Sequence, residues 1–237
     1  MSQNRTAKVG SLLRVVCLWF GVYVAGAIAS TVALFASGKS ADSISDLPVW
    51  AVGVSVAAMW AVYMMAFPRL LPFEDDTPAR TWRRWFTTRD VVIGVPAGIL
   101  GQLVLVNLVN WPLSRFFPDT FSFDEVSQRA EDIANTAPGA WMILLVLIVV
   151  VGAPVVEEIV YRGSLHTNLV AAAGVTTGLV VTAALFAAVH LEPVELPGLF
   201  VFALLLGALR QWSGTLGMPI ITHMAFNATG LTLVSLF

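Results

Sequence analysis

Apolar residues run along this chain in long, nearly unbroken blocks separated by short polar stretches. Residues 11–37, 48–68, 91–110 and 139–156 are mostly apolar, and about 20 such positions make a helix that crosses the hydrocarbon core. Further on the chain stays apolar but is punctuated by Pro154, Gly163, Gly174, Pro193, Pro197, Gly198, Gly214, Gly217 and Pro219. These divide it into segments near 155–172, 175–191, 198–212 and 218–237. Strands of a membrane barrel need only about 10 alternating residues, and these blocks are too long and too uniform for that. The pattern predicts an all-α, polytopic transmembrane helix bundle of seven to eight helices. Two regions follow: 1–138, with the N-terminal transmembrane helices and orienting loops, and 139–237, a second helical core. No internal repeat is visible, and no polar segment is long enough for a further domain.

Composition agrees with the pattern. Of the 237 residues, 57% are hydrophobic and 12% charged, and mean hydropathy is +0.81. Soluble domains carry about 25% charged residues. A disordered chain, a nucleic-acid partner held by a basic patch and a free-standing cytosolic enzyme are all excluded. The single cysteine, Cys17, rules out a disulfide framework or a thiolate zinc site within the chain. Membrane lipid is the implied partner; oligomeric state is not readable.

Charge then orients the spans. Arg5, Lys8 and Arg14 precede the first block as in a signal peptide, but a signal core is only about 7–15 residues, so the first helix is expected to stay uncleaved. Residues 69–90 hold Arg69, Arg80, Arg83, Arg84 and Arg89, whereas 38–47 holds only Lys39 and 111–138 has Arg115 and Arg129 against five acids. Cytoplasmic loops are enriched in Lys and Arg, so the N-terminus and second loop are expected inside. A multi-pass protein of the cell membrane, in a bacterial inner membrane, fits the short loops. Phe123, Val126, Ala130 and Ile133 recur at helical spacing in the third loop, giving either an interfacial helix or a solvated loop. No C-terminal Cys-a-a-X or Met-Gly start is present, so lipidation by those routes is not expected.

The remaining charges are concentrated. Only Glu157, Glu158, Arg162, Glu192, Glu195 and Arg210 fall in 139–237, together with all three histidines, His166, His190 and His223. An ionisable group at membrane depth costs about 2.5–3.5 kcal/mol on insertion scales, so each calls for a partner or a purpose. In Pro154-Val-Val-Glu157-Glu158-Ile-Val-Tyr-Arg162, Glu158 and Arg162 are four apart, the favourable order for an ion pair. Glu157 is turned about 100° away and has no charged partner in its own helix. Pro154 reads as a helix start, where the dipole favours carboxylates. This makes Glu158–Arg162 scaffolding and Glu157 the working carboxylate; the competing reading is an interfacial, solvated pair.

Phe186 and His190 share a helical face, so the ring can restrict the imidazole. His223 and Asn227 do the same in an otherwise apolar helix, with interhelical hydrogen bonding as the alternative. Each motif alone is weak. Together, Glu-Glu-x-x-x-Arg, Phe-x-x-x-His and His-x-x-x-Asn on three successive apolar segments resemble the signature of the CPBP intramembrane proteases. This is the CAAX-protease and bacteriocin-processing (ABI) family, which includes the Rce1-type prenyl-protein proteases. The resemblance covers about 150–230, with Gly207 and the stretch from Gly214 to His223.

That resemblance implies an intramembrane endopeptidase acting on membrane-associated or lipidated peptide and membrane-protein substrates. Glu157 and His190 would activate water, His223 and Asn227 would stabilise the oxyanion, and Glu158, Arg162 and Phe186 would organise the site. No serine or cysteine nucleophile stands in a recognisable arrangement. Two cofactor readings stand side by side. In one, Zn2+ is held by Glu157, His190 and His223, a His₂Glu set of the catalytic type; in the other the same groups work without metal. Rival functions are a non-catalytic immunity or scaffold protein of the same fold and a proton-coupled transporter, the latter without support from a repeat.

Other polar residues get plainer readings. His166 is expected at the interface, Glu192 and Glu195 in a solvated loop, and Arg210 snorkelling to headgroups. Gln102, Asn107 and Asn110 either line a cavity or bond between helices. Trp50, Trp82, Trp85, Trp111 and Trp212 fall near span ends, as in aromatic belts. One geometric conflict remains: Glu157 and His190 come to one end of a helical hairpin, while simple crossing counts put His223 at the opposite face. A site reaching toward mid-membrane, or a segment 198–212 that does not cross fully, would resolve it.

Overall fold

The computed structural model describes residues 2–39, 47–71, 87–118, 121, 137 and 139–236, with side chains described between 10 and 233. Among them there are helices and turns and no strand. Seven helices follow one another: α1 (Ser2–Ala36), α2 (Val49–Leu70), α3 (Thr88–Phe116), α4 (Trp141–Ala173), α5 (Val175–Ala188), α6 (Leu196–Ser213) and α7 (Gly217–Leu236). Within the described parts, α1, α2, α3, α4 and α6 are long and apolar enough to cross a membrane. The 14 residues of α5 rise only about 21 Å, short of the roughly 30 Å core. The suggested interfacial helix at 123–133 lies outside the described residues, as do Trp82, Trp85 and most of the second-loop arginines.

The largest departure from the sequence pattern is at Pro154. Segments 139–156 and 155–172 are expected as two helices; they form one, α4, of 33 residues. A proline inside an α-helix lacks one N–H and clashes with the carbonyl four residues back. The chain avoids both problems by widening to π-helical turns over Leu147–Gly152, just before the proline. Ala153 N–H there reaches back to Ile148 O, five residues away. A second wide stretch spans Ile159–Leu165. Glu157 is therefore mid-helix, and the expected dipole stabilisation at a helix start does not apply.

Packing is set by small residues and caps. α1 lies along α2, α3 along α7, and α5 along α6. The α3–α7 approach depends on Gly94-x-x-x-Gly98, the spacing that lets membrane helices come close. A Cβ on Gly98 would stand 2.2 Å from Thr222 O and 2.8 Å from Phe226 N. Thr87 and Asp90 form a capping box that begins α3, satisfying two end N–H groups reciprocally. Gly174, at φ 91°, turns the chain between α4 and α5. The main core unites Trp19, Tyr63, Phe67, Tyr161, Leu165 and Phe186 from α1, α2, α4 and α5. Ser164 Oγ donates to Leu71 O, tying α4 to the end of α2. On the outside, Leu13, Phe20, Ile28, Val32 and Phe35 of α1 are each more than half exposed, an apolar surface suited to lipid.

Candidate active site

Glu158 and Arg162 are both 0% exposed. The ion pair that their spacing predicts is present, with Arg162 Nη1 donating to Glu158 Oε1 at 2.9 Å. Arg162 Nη2 donates to Ala203 O of α6 at 3.0 Å, and the guanidinium carbon lies 4.7 Å from the centre of the Phe186 ring. Two fully buried charges are tolerable only when paired and hydrogen-bonded. The sequence did not reveal the third member: His223 Nδ1 is 2.9 Å from the same Glu158 Oε1. A carboxylate paired with arginine is an acceptor, so Nδ1 of His223 carries the proton and Nε2 is the edge left for other chemistry. That Nε2 is 3.9 Å from Glu157 Oε2.

Glu157, one position before Glu158, faces open space; its side chain is 28% exposed. It lines a cavity of about 290 Å³ together with His190, His223 and Asn227. All four residues singled out from the motifs thus meet at one cavity. His190 Nδ1 is 2.8 Å from Phe186 O; the carbonyl can only accept, so Nε2 again is the free edge. Leu191, just after it, has φ 56°, a left-handed backbone that is strained for a residue with a Cβ, and marks the abrupt end of α5. Phe186 packs on both imidazoles, with ring centres 5.0 Å from His190 and 5.9 Å from His223. Phe202 meets His223 edge-on, with ring centres 5.6 Å apart.

Asn227 Nδ2 donates to Val149 O at 2.8 Å, and the helix itself explains why that carbonyl is available. Ala153 N–H is taken by Ile148 O and Pro154 has no N–H. These are the two residues from which a helical partner for Val149 would come. An apolar span with an internal proline was the available signal, but the identity of the group that fills the gap was not readable.

The conflict over His223 resolves toward the middle of the bundle. Glu157 is the seventeenth of the 33 residues of α4, and His223 sits against Phe202, near the middle of α6. His190 is 16 residues past Gly174 and Glu157 is 17 before it, the matched register expected of an antiparallel hairpin. A second cavity, of about 210 Å³ and bordered by Tyr23, Trp60 and Tyr63, meets the first at Glu157 and His190.

Other expectations need correction. His166, expected at the interface, is buried within the protein at 1% exposure, with Nε2 2.7 Å from Gln211 Nε2 of α6. Glu195 is half-buried and lines the large cavity rather than a purely solvated loop. Asn107 Nδ2 donates to its own helix at Leu103 O, 2.8 Å away, while Gln102 and Asn110 line the large cavity. Among the described residues no three His, Cys, Asp or Glu side chains are grouped so as to hold a metal ion. Glu157, His190 and His223 are not grouped as a metal-holding set as placed.

Apolar spans surrounding a buried carboxylate–guanidinium–imidazole cluster define a multi-pass membrane protein. Residues 139–229 match the family model described as type II CAAX prenyl endopeptidase Rce1-like. The match contains every member of the three motifs. No curated protein and no solved structure matches the chain.

Proposed function

We propose that this protein is an intramembrane endopeptidase that hydrolyses peptide bonds in membrane-associated or lipidated substrates by direct attack of water. The observation that carries this reading is the meeting of Glu157 and His223 Nε2 at 3.9 Å on a cavity that His190 and Asn227 also line. Glu157 takes a proton from the attacking water as its oxygen bonds to the carbonyl carbon, and later passes it to the departing amine as the C–N bond breaks. His190, anchored through Nδ1, offers Nε2 to orient that water. A positioned base of this kind contributes about 10²–10⁴-fold.

The oxyanion falls to His223 and Asn227. Doubly protonated, His223 donates Nδ1–H to Glu158 and Nε2–H to the developing charge, with Glu158 as its counter-ion. Asn227 has two amide protons; one is committed to Val149 O, which fixes the amide and leaves the other for the intermediate. Donors held in advance where charge develops stabilise a transition state without reorganisation. Glu158, Arg162 and Phe186 act by positioning. The arginine-rich second loop supports a cytoplasmic N-terminus, in a bacterial inner membrane.

The test is cleavage of a membrane-peptide library by purified protein, wild type beside Glu157→Gln and His190→Ala. Loss of about 10²–10⁴ in rate is expected for Glu157→Gln. Equal cleavage by all three would overturn the mechanism; folded wild type that cleaves nothing would favour the immunity or scaffold reading. Full activity after chelation, with the protein still folded, is expected for the metal-free route, and loss restored by Zn2+ would overturn it.

A further inference from the structure

The wall of the large cavity opposite α4 carries two polar groups that the proposed chemistry does not use. Gln102 and Asn110 of α3 both line it. Asn110 Oδ1 is buried and has no hydrogen-bond partner, an arrangement that costs stability. A Cβ built on Gly230 would lie 3.5 Å from Gln102 Nε2, and one on Gly198 would lie 3.8 Å from Asn110 Oδ1. Glycine at 198 in α6 and at 230 in α7 leaves no side chain pressed against either carboxamide at these two points.

Their alignment is not a product of spacing. Eight positions apart, two residues of a regular α-helix are turned by about 80°. Residues Gly101–Leu105 are π-helical, with Val106 N–H bonded to Gly101 O. A wide turn takes in one extra residue, so the eight steps act as about seven and the angle falls to about 20°. The backbone irregularity brings the two amides onto one face, separated by about 10.5 Å along the axis. An extended peptide covers that length in about three to four residues.

We propose that Gln102 and Asn110 form a rail for the main chain of the substrate, holding an extended stretch of three to four residues across the cavity from Glu157 and His190. Each carboxamide offers an acceptor and donors, the complement of a peptide N–H and C=O. The rail recognises backbone rather than side chains, so it secures an extended, unfolded segment of any sequence. This rests on the peptidase reading given above, and it adds positioning residues outside the matched stretch 139–229.

The test uses peptide substrates in which one amide at a time, excluding the scissile one, is replaced by an ester. KM and kcat are measured for wild type, Asn110→Leu and Gln102→Leu, and binding is measured separately in the Glu157→Gln background. In wild type, one ester position is expected to raise KM by about tenfold, the scale of one buried hydrogen bond. Asn110→Leu is expected to raise KM for the all-amide peptide by a similar factor, keep kcat within about twofold, and abolish the extra ester penalty. Asn110→Ser serves if the leucine variant melts early. Unchanged KM in folded variants, or an ester penalty that persists in them, would overturn the rail while leaving the peptidase standing. Ester-sensitive binding without cleavage by wild type would do the reverse.

Discussion

α1 and α4 are both long apolar helices, of 35 and 33 residues, yet they are built differently. α1 is α-helical from end to end, with large apolar side chains along its outer surface. α4 holds an internal proline, two wide stretches and the buried Glu158–Arg162 pair. In an 18-residue apolar stretch of α4 the share buried inside the bundle is 33%, against 22% for such a stretch of α1. A regular helix is enough to cross a bilayer, since all its backbone groups are satisfied internally. Irregular turns appear where side chains must be aimed, which is where π-bulges tend to occur in general.

The sharpest way to break the contrast is to remove one charge from α4. Glu158→Gln leaves Arg162 buried without a counter-ion and His223 without its anionic acceptor. A loss of about 3–5 kcal/mol is expected, as for other broken buried pairs, read as a large drop in thermal stability in detergent. Next comes Gly98→Ala. Its new Cβ would collide with backbone atoms of α7, so α3 and α7 must separate, with an expected loss of about 1–3 kcal/mol. Peptidase activity is expected to fall with it, because α7 carries His223 and Asn227.

Pro154→Ala has an effect of another kind. It removes the helix penalty of proline, about 3 kcal/mol in a regular interior, and supplies an N–H that can compete for Val149 O. Thermal stability is expected to hold or rise while peptide cleavage falls about tenfold, a fraction of the 10²–10³ typical for losing an oxyanion donor. A stable variant with full turnover would refute the link between the wide turn and Asn227. The smallest effect belongs to α1. A Cβ on Gly21 meets nothing within 4 Å, and Gly21→Ala is expected to shift stability by no more than about 0.5 kcal/mol.

The same contrast explains what could be read in advance. Spans such as 11–37 and 48–68 were legible because length and apolarity are the only requirements there. The residues of the three motifs were legible because Glu157, His190, His223 and Asn227 are conspicuous polar types in apolar helices. What they touch was hidden. The bond from His223 to Glu158 joins residues 65 positions apart, and no periodicity reports that. Pro154 pointed to a break because a regular helix cannot hold it; a widened one can. The shared face of Gln102 and Asn110 was hidden for the same reason, since counting by 3.6 assumes that every turn is equal.

The wide turns also make each half of a helix adjustable independently of the other. Closing the wide stretch Leu147–Gly152 to a regular α-helix at unchanged length would rotate everything downstream by about 100° while the helix as a whole still crossed the bilayer. Glu157 would then face the neighbouring helices instead of the cavity. Hydropathy, span number and length would scarcely change. In such a protein the angular phase of a helix is a heritable trait in its own right, and a single-codon change could move the working groups in or out of the site without disturbing membrane insertion.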